Sequence, residues 1–240
     1  MLIFQLNNLY RILTNKFKEG NAMQISQDII SRAMRVDPAL LGHYIEDGFM
    51  HLNVKPLSDQ FKMIGPAFPI YFSGRNSAML FYAMRRAPEG SILVIDRGGD
   101  KQFACVGEGV ARIAKSLKLG GILIDGPSTD TLGIKALGFP VFSTGISPVT
   151  TTSRVGEVNG SYGTTIQCAG VTVNPGDIIF GDIDGVLVAP PDQFEALLIR
   201  AEEATKKEKV FFSSIENTDF RERPFDSEPL VEKYLKDTLK

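Results

Sequence analysis

Apolar residues follow two rhythms along this chain. Ile25, Ile29 and Ala33 fall on one face of a helix. Asp37-Pro38, an N-cap followed by proline at the first helical position, predicts a second helix ending near Gly48. From Met63 the rhythm shortens. Residues 67–72 and Ile92–Asp96 are short apolar runs bounded by Gly or Pro, as buried strands are, with a helix predicted over 77–86 between them. A glycine-containing loop, Arg97-Gly98-Gly99-Asp100, comes next. A helix is then predicted from about Glu108, with Val110, Ile113, Ala114 and Leu117 as its apolar stripe, and a strand over 121–125. Strand, helix and strand in that order predict a parallel crossover.

Beyond residue 150 the pattern is mostly strands and turns. Asn174-Pro175-Gly176-Asp177 and Asp182-Ile183-Asp184-Gly185 are strong turn signals, so Asp182 and Asp184 read as turn formers. A long helix opens at Pro190-Pro191, with Phe194, Leu197, Leu198 and Ala201 on one face. The Pro-punctuated, charged tail from Ser213 should be irregular before a short final helix. No internal repeat or linker breaks the pattern. The expected organisation is an N-terminal extension over 1–22, one α/β domain over 23–212 and a C-terminal tail over 213–240.

Composition narrows the function. The 240 residues are 43% hydrophobic and 22% charged, values at which a packed core is expected. A net charge of −2 gives no electrostatic reason to bind nucleic acid or an anionic membrane. Lys206, Lys207 and Lys209 lie beside Glu202, Glu203 and Glu208, a solvated helix face. Cys105 and Cys168 are too few for a disulfide framework and read as small buried thiols. The apolar opening Met1–Leu6 is too short for a signal peptide or membrane helix, so a cytoplasmic protein is expected.

Several kinds of chemistry lack their residues. The only histidines, His43 and His51, stand far from other ligand types, which makes zinc unsuited. Gly107-Glu108-Gly109 begins like a dinucleotide loop, but Arg112 occupies the third glycine position. What remains is a pair of acids. Glu108 starts the helix after the glycine-containing loop, and Asp130 follows the next strand by a few residues. If the two strands are parallel neighbours, both loops emerge at the edge where open α/β sheets bind ligands. Two carboxylates beside free N–H groups at a helix start can hold a hard cation and a small anion together. On spacing alone, Glu108 can equally be a favourable helix-start charge and Asp130 a cap for its own helix.

Longer motifs bear on that choice. Gly107-Glu108-Gly109-Val110-Ala111, then Gly121-Ile-Leu-Ile-Asp125-Gly126, Asp130 and Leu137-Gly-Phe-Pro-Val-Phe142 resemble the RraA-like and 4-hydroxy-4-methyl-2-oxoglutarate aldolase family. So do Asn174-Pro-Gly-Asp177 and Asp182-Ile-Asp-Gly-Val186, and the similarity runs from about residue 25 to 210. The resemblance implies a swivelling β/β/α domain assembled as trimers or hexamers, with sites at subunit interfaces. It implies Mg²⁺ or Mn²⁺ held directly by Asp130, Glu108 acting through a metal-bound water, and amides of Gly109 and Val110 receiving a substrate carboxylate. Glu208 is the candidate acid from a neighbouring subunit. The implied activity is retro-aldol cleavage or decarboxylation of a small 2-oxo acid. The family pattern has Arg immediately before the metal-binding Asp, whereas this chain has Thr129. A threonine offers neither fixed charge nor a bidentate fork. Arg75, Arg97 and Lys101 are the candidates to replace it from other loops. The departure supports a second expectation, a non-catalytic regulatory protein such as the family also contains. No S-adenosylmethionine site accompanies the methyltransferase label that some family members carry.

Overall fold

A computed structural model describes residues 25–154, 156–216, 218–221 and 225–238. The expected extension over 1–22 therefore lies outside the described residues. Among the described residues two short helices come first, α1 (Gln27–Ala33) and α2 (Pro38–Leu41). Ser26 caps α1 by accepting the Ile29 N–H at 3.2 Å. Helix α2 is a single turn that ends at Gly42, well before the expected Gly48. Farther along, Gly48 adopts φ +85° and Phe49 bridges to Leu187.

The centre is a mixed sheet built from β1 (Lys55–Pro56), β2 (Met63–Tyr71), β3 (Ile92–Asp96), β4 (Gly121–Ser128), β5 (Val141–Ile146), β6 (Ser161–Tyr162), β9 (Ile178–Gly181) and β10 (Val186–Ala189). A separate hairpin pairs β7 (Ile166–Cys168) with β8 (Val171–Val173). Strand order is β1-β5-β4-β3-β2-β9-β10, with β6 on β2. The long β2 joins two halves. Its first residues pair antiparallel with β9, while Ala67–Tyr71 pair parallel with β3. Strands β3, β4 and β5 continue the parallel half. Residues 92–95 are wholly buried, as expected of a parallel strand covered on both faces.

Helices α3 (Ala78–Met84), α4 (Glu108–Ser116) and α5 (Thr131–Leu137) link the parallel strands. On α4 the buried residues are Ala111 and Ala114, with Val110 and Leu117 packed beside them. Ile113, expected in the stripe, is 41% exposed. The buried face is thus narrower than the sequence stripe. Helix α6 (Pro191–Ile215) buries Phe194, Leu197, Leu198 and Ala201, the face the spacing predicts. Two compact units divide within α6, between Ala201 and Glu202. The second contains the rest of α6 and α7 (Glu228–Thr238).

Candidate functional site

The parallel register places the two acidic loops side by side. Asp96 ends β3 opposite Asp125 of β4, so the chain after each leaves from the same sheet edge. A parallel bridge between Val106 and Ser128, and a bond from the Thr129 N–H to the Val106 carbonyl at 2.9 Å, fasten the loops together. Ser128 and Ser143 hydroxyls, 2.9 Å apart and buried, fix the end of β4 to β5. At the far ends of α4 and α5, Lys115 donates to the Leu137 carbonyl at 2.8 Å.

Asp130 sits at the start of α5 in the left-handed region, φ 54° and ψ 37°. Asp is among the few residues with a side chain that visit this region readily. Its carboxylate makes no cap bond to its own helix. Instead Oδ2 accepts the Glu108 N–H at 3.0 Å, at the start of the other helix. Gly107, the N-cap of α4, supplies no side chain for that role. A Cβ on Gly107 would fall on the Asp130 carboxylate and come within 2.9 Å of the Thr129 methyl carbon. Glycine is therefore what lets the acid approach. Gly109 and Val110 follow in the first turn, where N–H groups lack intrahelical acceptors. The α-carbon of Gly109 faces open space.

Glu108 turns toward α5. Its Oε2 lies where a Cβ on Gly133 would stand, so Gly133 makes room for the carboxylate. Its Oε1 accepts Arg112 Nε at 2.7 Å and lies 2.6 Å from a terminal guanidinium nitrogen. Sequence reasoning noted Arg112 only as a missing glycine. The i, i+4 spacing of Glu108 and Arg112 was the signal that could have found the pair. Gly107 and Gly133 were likewise missed, since their part depends on contacts across two loops.

Of the cations proposed to stand in for arginine at position 129, Arg97 is engaged elsewhere. Arg97 is wholly buried, bonded to the carbonyls of Phe72 at 3.2 Å and Gly74 at 2.6 Å and to Asp100 at 2.7 Å. Its guanidinium lies 4.2 Å from the Phe72 ring centroid, and its stem lies against Gly126 of β4. Arg97 is thus a strut beneath the loops. Asp100 completes that strut and caps the Gln102 and Phe103 N–H groups. Arg75 lies over the Phe103 ring at 5.6 Å, and Lys101 is exposed. Asp125 accepts the Ala169 N–H at 2.8 Å, which ties the β7–β8 turn to the sheet. Glu208 lies in the second compact unit.

Other titrating groups are explained by packing. Burial pushes the Cys105 thiol up to about 12, and burial with the charges of Asp125 and Asp96 raises Cys168 as well. Both are free and buried, as the sequence suggests. Asp182 accepts the Asp184 N–H at 2.9 Å, and burial raises its carboxyl above the ordinary range. That is the turn role expected. His51 packs its ring on Gly170, and His43 is exposed.

The family model described as Aldolase/RraA matches residues 36–188, well over half of the chain. The chain belongs to the RraA-like family. Within it, this RraA-like protein is 36% identical over 157 residues to a Halalkalibacterium halodurans protein provisionally named a 4-hydroxy-4-methyl-2-oxoglutarate aldolase, covering 65% of this chain and 73% of the relative. A solved structure from Geobacillus kaustophilus, titled S-adenosylmethionine: 2-dimethylmenaquinone methyltransferase, is 27% identical with a TM-score of 0.57, covering 63% of this chain and 93% of the other. Streptomyces coelicolor RraAS2, described as an unusual member of the RNase ES inhibitor RraA protein family, shares the fold at 24% identity and TM-score 0.67, covering 78% and 96%. The swivelling α/β domain expected from the sequence is therefore the observed fold. Among the described residues no helix is long and apolar enough to cross a membrane.

Proposed function

We propose that this RraA-like protein is a divalent-cation-dependent carbon–carbon lyase acting on a small anionic 2-oxo or hydroxy acid. The observation that supports this reading is the reach of Asp130 across to Glu108. Asp130 makes no bond to the N–H groups of its own helix, and its carboxylate is instead brought to the start of α4, beside Glu108.

The donor chemistry suits a hard cation. Two glycines, Gly107 and Gly133, leave space that a methyl group would fill with atoms of the Asp130 and Glu108 carboxylates. No group of three or more His, Cys, Asp or Glu gathers among the described residues to hold a metal. Mg²⁺ often takes one or two carboxylates and leaves its other positions to water and substrate. Asp130 would be the direct ligand and Glu108 would act through a water. Mg²⁺ or Mn²⁺ bound here would supply Lewis-acid polarisation of an oxo group.

The chain's own contribution is positioning. The N–H groups of Gly109 and Val110, at the positive end of α4, suit a substrate carboxylate. Arg112 holds Oε1 of Glu108 and leaves Oε2 turned toward α5. Thr129 lies beside this space without a charge to offer. Loss of one fixed electrostatic donor costs on the order of 2.7–4 kcal/mol of transition-state stabilisation, a hundred- to a thousandfold in rate. Slow turnover is expected. Assembly as a trimer or hexamer, with Glu208 of a neighbouring copy completing the site, and a cytoplasmic setting belong to this reading.

Thr129 also favours a second reading, a regulatory protein that keeps the family fold without the chemistry. Comparing Thr129→Arg with Thr129→Arg/Asp130→Asn, in Mg²⁺ with oxaloacetate, separates the two. Decarboxylation that appears in the first variant and vanishes in the second supports the lyase. If neither exceeds the uncatalysed rate, the regulatory reading replaces it.

A further inference from the structure

Position 129 carries no charge, and Arg97 is engaged beneath the loops. Among the described residues, Arg112 is the one cationic side chain in a hydrogen bond or ion pair with either acid of the site. Its Nε lies 2.7 Å from Glu108 Oε1, and a terminal nitrogen lies 2.6 Å from the same oxygen. Both donors converge on one oxygen, whereas in the usual fork each donor takes its own. Oε2 is left in the gap over Gly133, where Cδ of Glu108 lies 2.6 Å from the place a Cβ would take. Gly133 is three residues after Asp130, in the first turn of α5. The free oxygen of Glu108 therefore lies at the helix start that carries Asp130.

We propose that Arg112 is a positioning residue, which holds Glu108 by one oxygen so that the other is presented to the water of a cation bound by Asp130. The inference rests on the lyase reading, in which Glu108 works through that water. Glu108 opens α4 and its side chain is 34% exposed, so staggered rotamers other than the observed one are open to it. Arg112 restrains it from one turn on, in the favourable order of acid before base. Charge favours the same role. Asp130 and Glu108 bring two negative charges and a divalent cation two positive ones, so Arg112 leaves the loaded site with one positive charge for an anionic substrate. With Arg112 61% exposed, the ion pair itself adds little to the stability of the fold.

Calorimetric Mn²⁺ titration of the full chain tests this without recourse to activity. Arg112→Met should weaken binding about tenfold, the low end for groups that orient a metal's surroundings. Arg112→Lys, which keeps the charge and can still bond one oxygen, should recover part of that loss. In a Glu108→Gln background Arg112→Met should add nothing, because Arg112 acts through the Glu108 carboxylate. A bystander cation has the opposite signature, since removing it relieves repulsion and raises Mn²⁺ affinity. A rise, no change, or an equal loss with and without the Glu108 carboxylate overturns the inference. Metal-free protein gives a second reading, in which the Arg112 Nε–H resonance should be resolved in ¹⁵N spectra and collapse on Glu108→Ala. A wild-type resonance already lost to solvent exchange would overturn the positioning role and leave the metal reading standing. Failure of Asp130→Asn to weaken Mn²⁺ binding would sink the lyase reading instead, and a wild type that binds no Mn²⁺ overturns both.

Discussion

Gly133→Ala separates the site from the fold with a single methyl group. Gly133 is the third residue of α5, and its Cβ would stand where the end of the Glu108 carboxylate now lies, 2.6 Å from Cδ and 3.1 Å from Cγ. Those atoms terminate a flexible side chain, so the carboxylate should swing aside while the backbone stays. Replacing Gly by Ala within a helix gains about 0.8–1.0 kcal/mol from propensity. Loss of the Glu108–Arg112 pair, whose Arg side chain is 61% exposed, returns at most roughly 0.3–0.5 kcal/mol. The net change should lie within about 1 kcal/mol, or about 2–4 °C in melting temperature for a domain of this size. The site should respond quite differently. Moving a group that orients a metal's surroundings typically costs about 10–100-fold in affinity. Calorimetric Mn²⁺ titration beside thermal melts reads both quantities. Unchanged affinity at unchanged stability would remove Glu108 from the site. A loss above roughly 2 kcal/mol would show that the carboxylate cannot move, and the packing argument would fail.

Three further perturbations test other parts of the account. Arg97→Ala leaves the mostly buried Asp100 without its partner, so a cost of about 3–5 kcal/mol and a melting point lower by roughly 10 °C or more are expected; a near-neutral result in thermal melts would refute the strut. Gly170 adopts φ +86° with the His51 ring against it, so Gly170→Ala should lose at least about 1–2 kcal/mol in chemical denaturation, and a neutral change would contradict the packing. Burial, opposed by the Gly98 N–H and aided by the charge of Asp125, raises the Asp96 carboxyl above its usual 3.8. The folded state therefore keeps that proton to higher pH than the unfolded state, and stability falls as pH rises through the window between the two values. Asp96→Asn, which can still accept the Gly98 N–H, should flatten that part of the melting profile; an unchanged slope would assign the pH dependence to another group.

The sequence made the parallel half of the fold readable because its elements are locally determined. Residues 92–95 are a run buried on both faces, Pro190-Pro191 starts a helix by backbone geometry, and Asn174–Asp177 closes its own turn. The short α2 was not readable from its local pattern, which was expected to run on toward Gly48, where Phe49 instead bridges to the distant Leu187. The narrow buried face of α4 was hidden for a related reason, because helical spacing does not say how wide a strip the sheet covers. At the candidate site, topology could bring Asp130 and Glu108 to one edge, since both follow neighbouring parallel strands, while a binding role for them rested on the family resemblance. What could not be read was which helix Asp130 serves, or that Gly107 and Gly133 make room for the two acids. Each depends on contacts more than 20 residues apart along the chain. Arg97 carried the opposite lesson. Its charge made it a candidate for the site, while only the structure shows it buried with both terminal guanidinium nitrogens engaged below the loops.

The central claim is that Asp130 holds a divalent cation, and Mn²⁺ titration of the wild type against Asp130→Asn tests it most directly. Hard cations prefer charged oxygen, and an amide can still accept the Glu108 N–H. The account predicts a folded variant with an unchanged far-ultraviolet spectrum and metal affinity reduced at least about tenfold. Equal affinity in the two proteins, or no binding by the wild type at millimolar Mn²⁺, would contradict it.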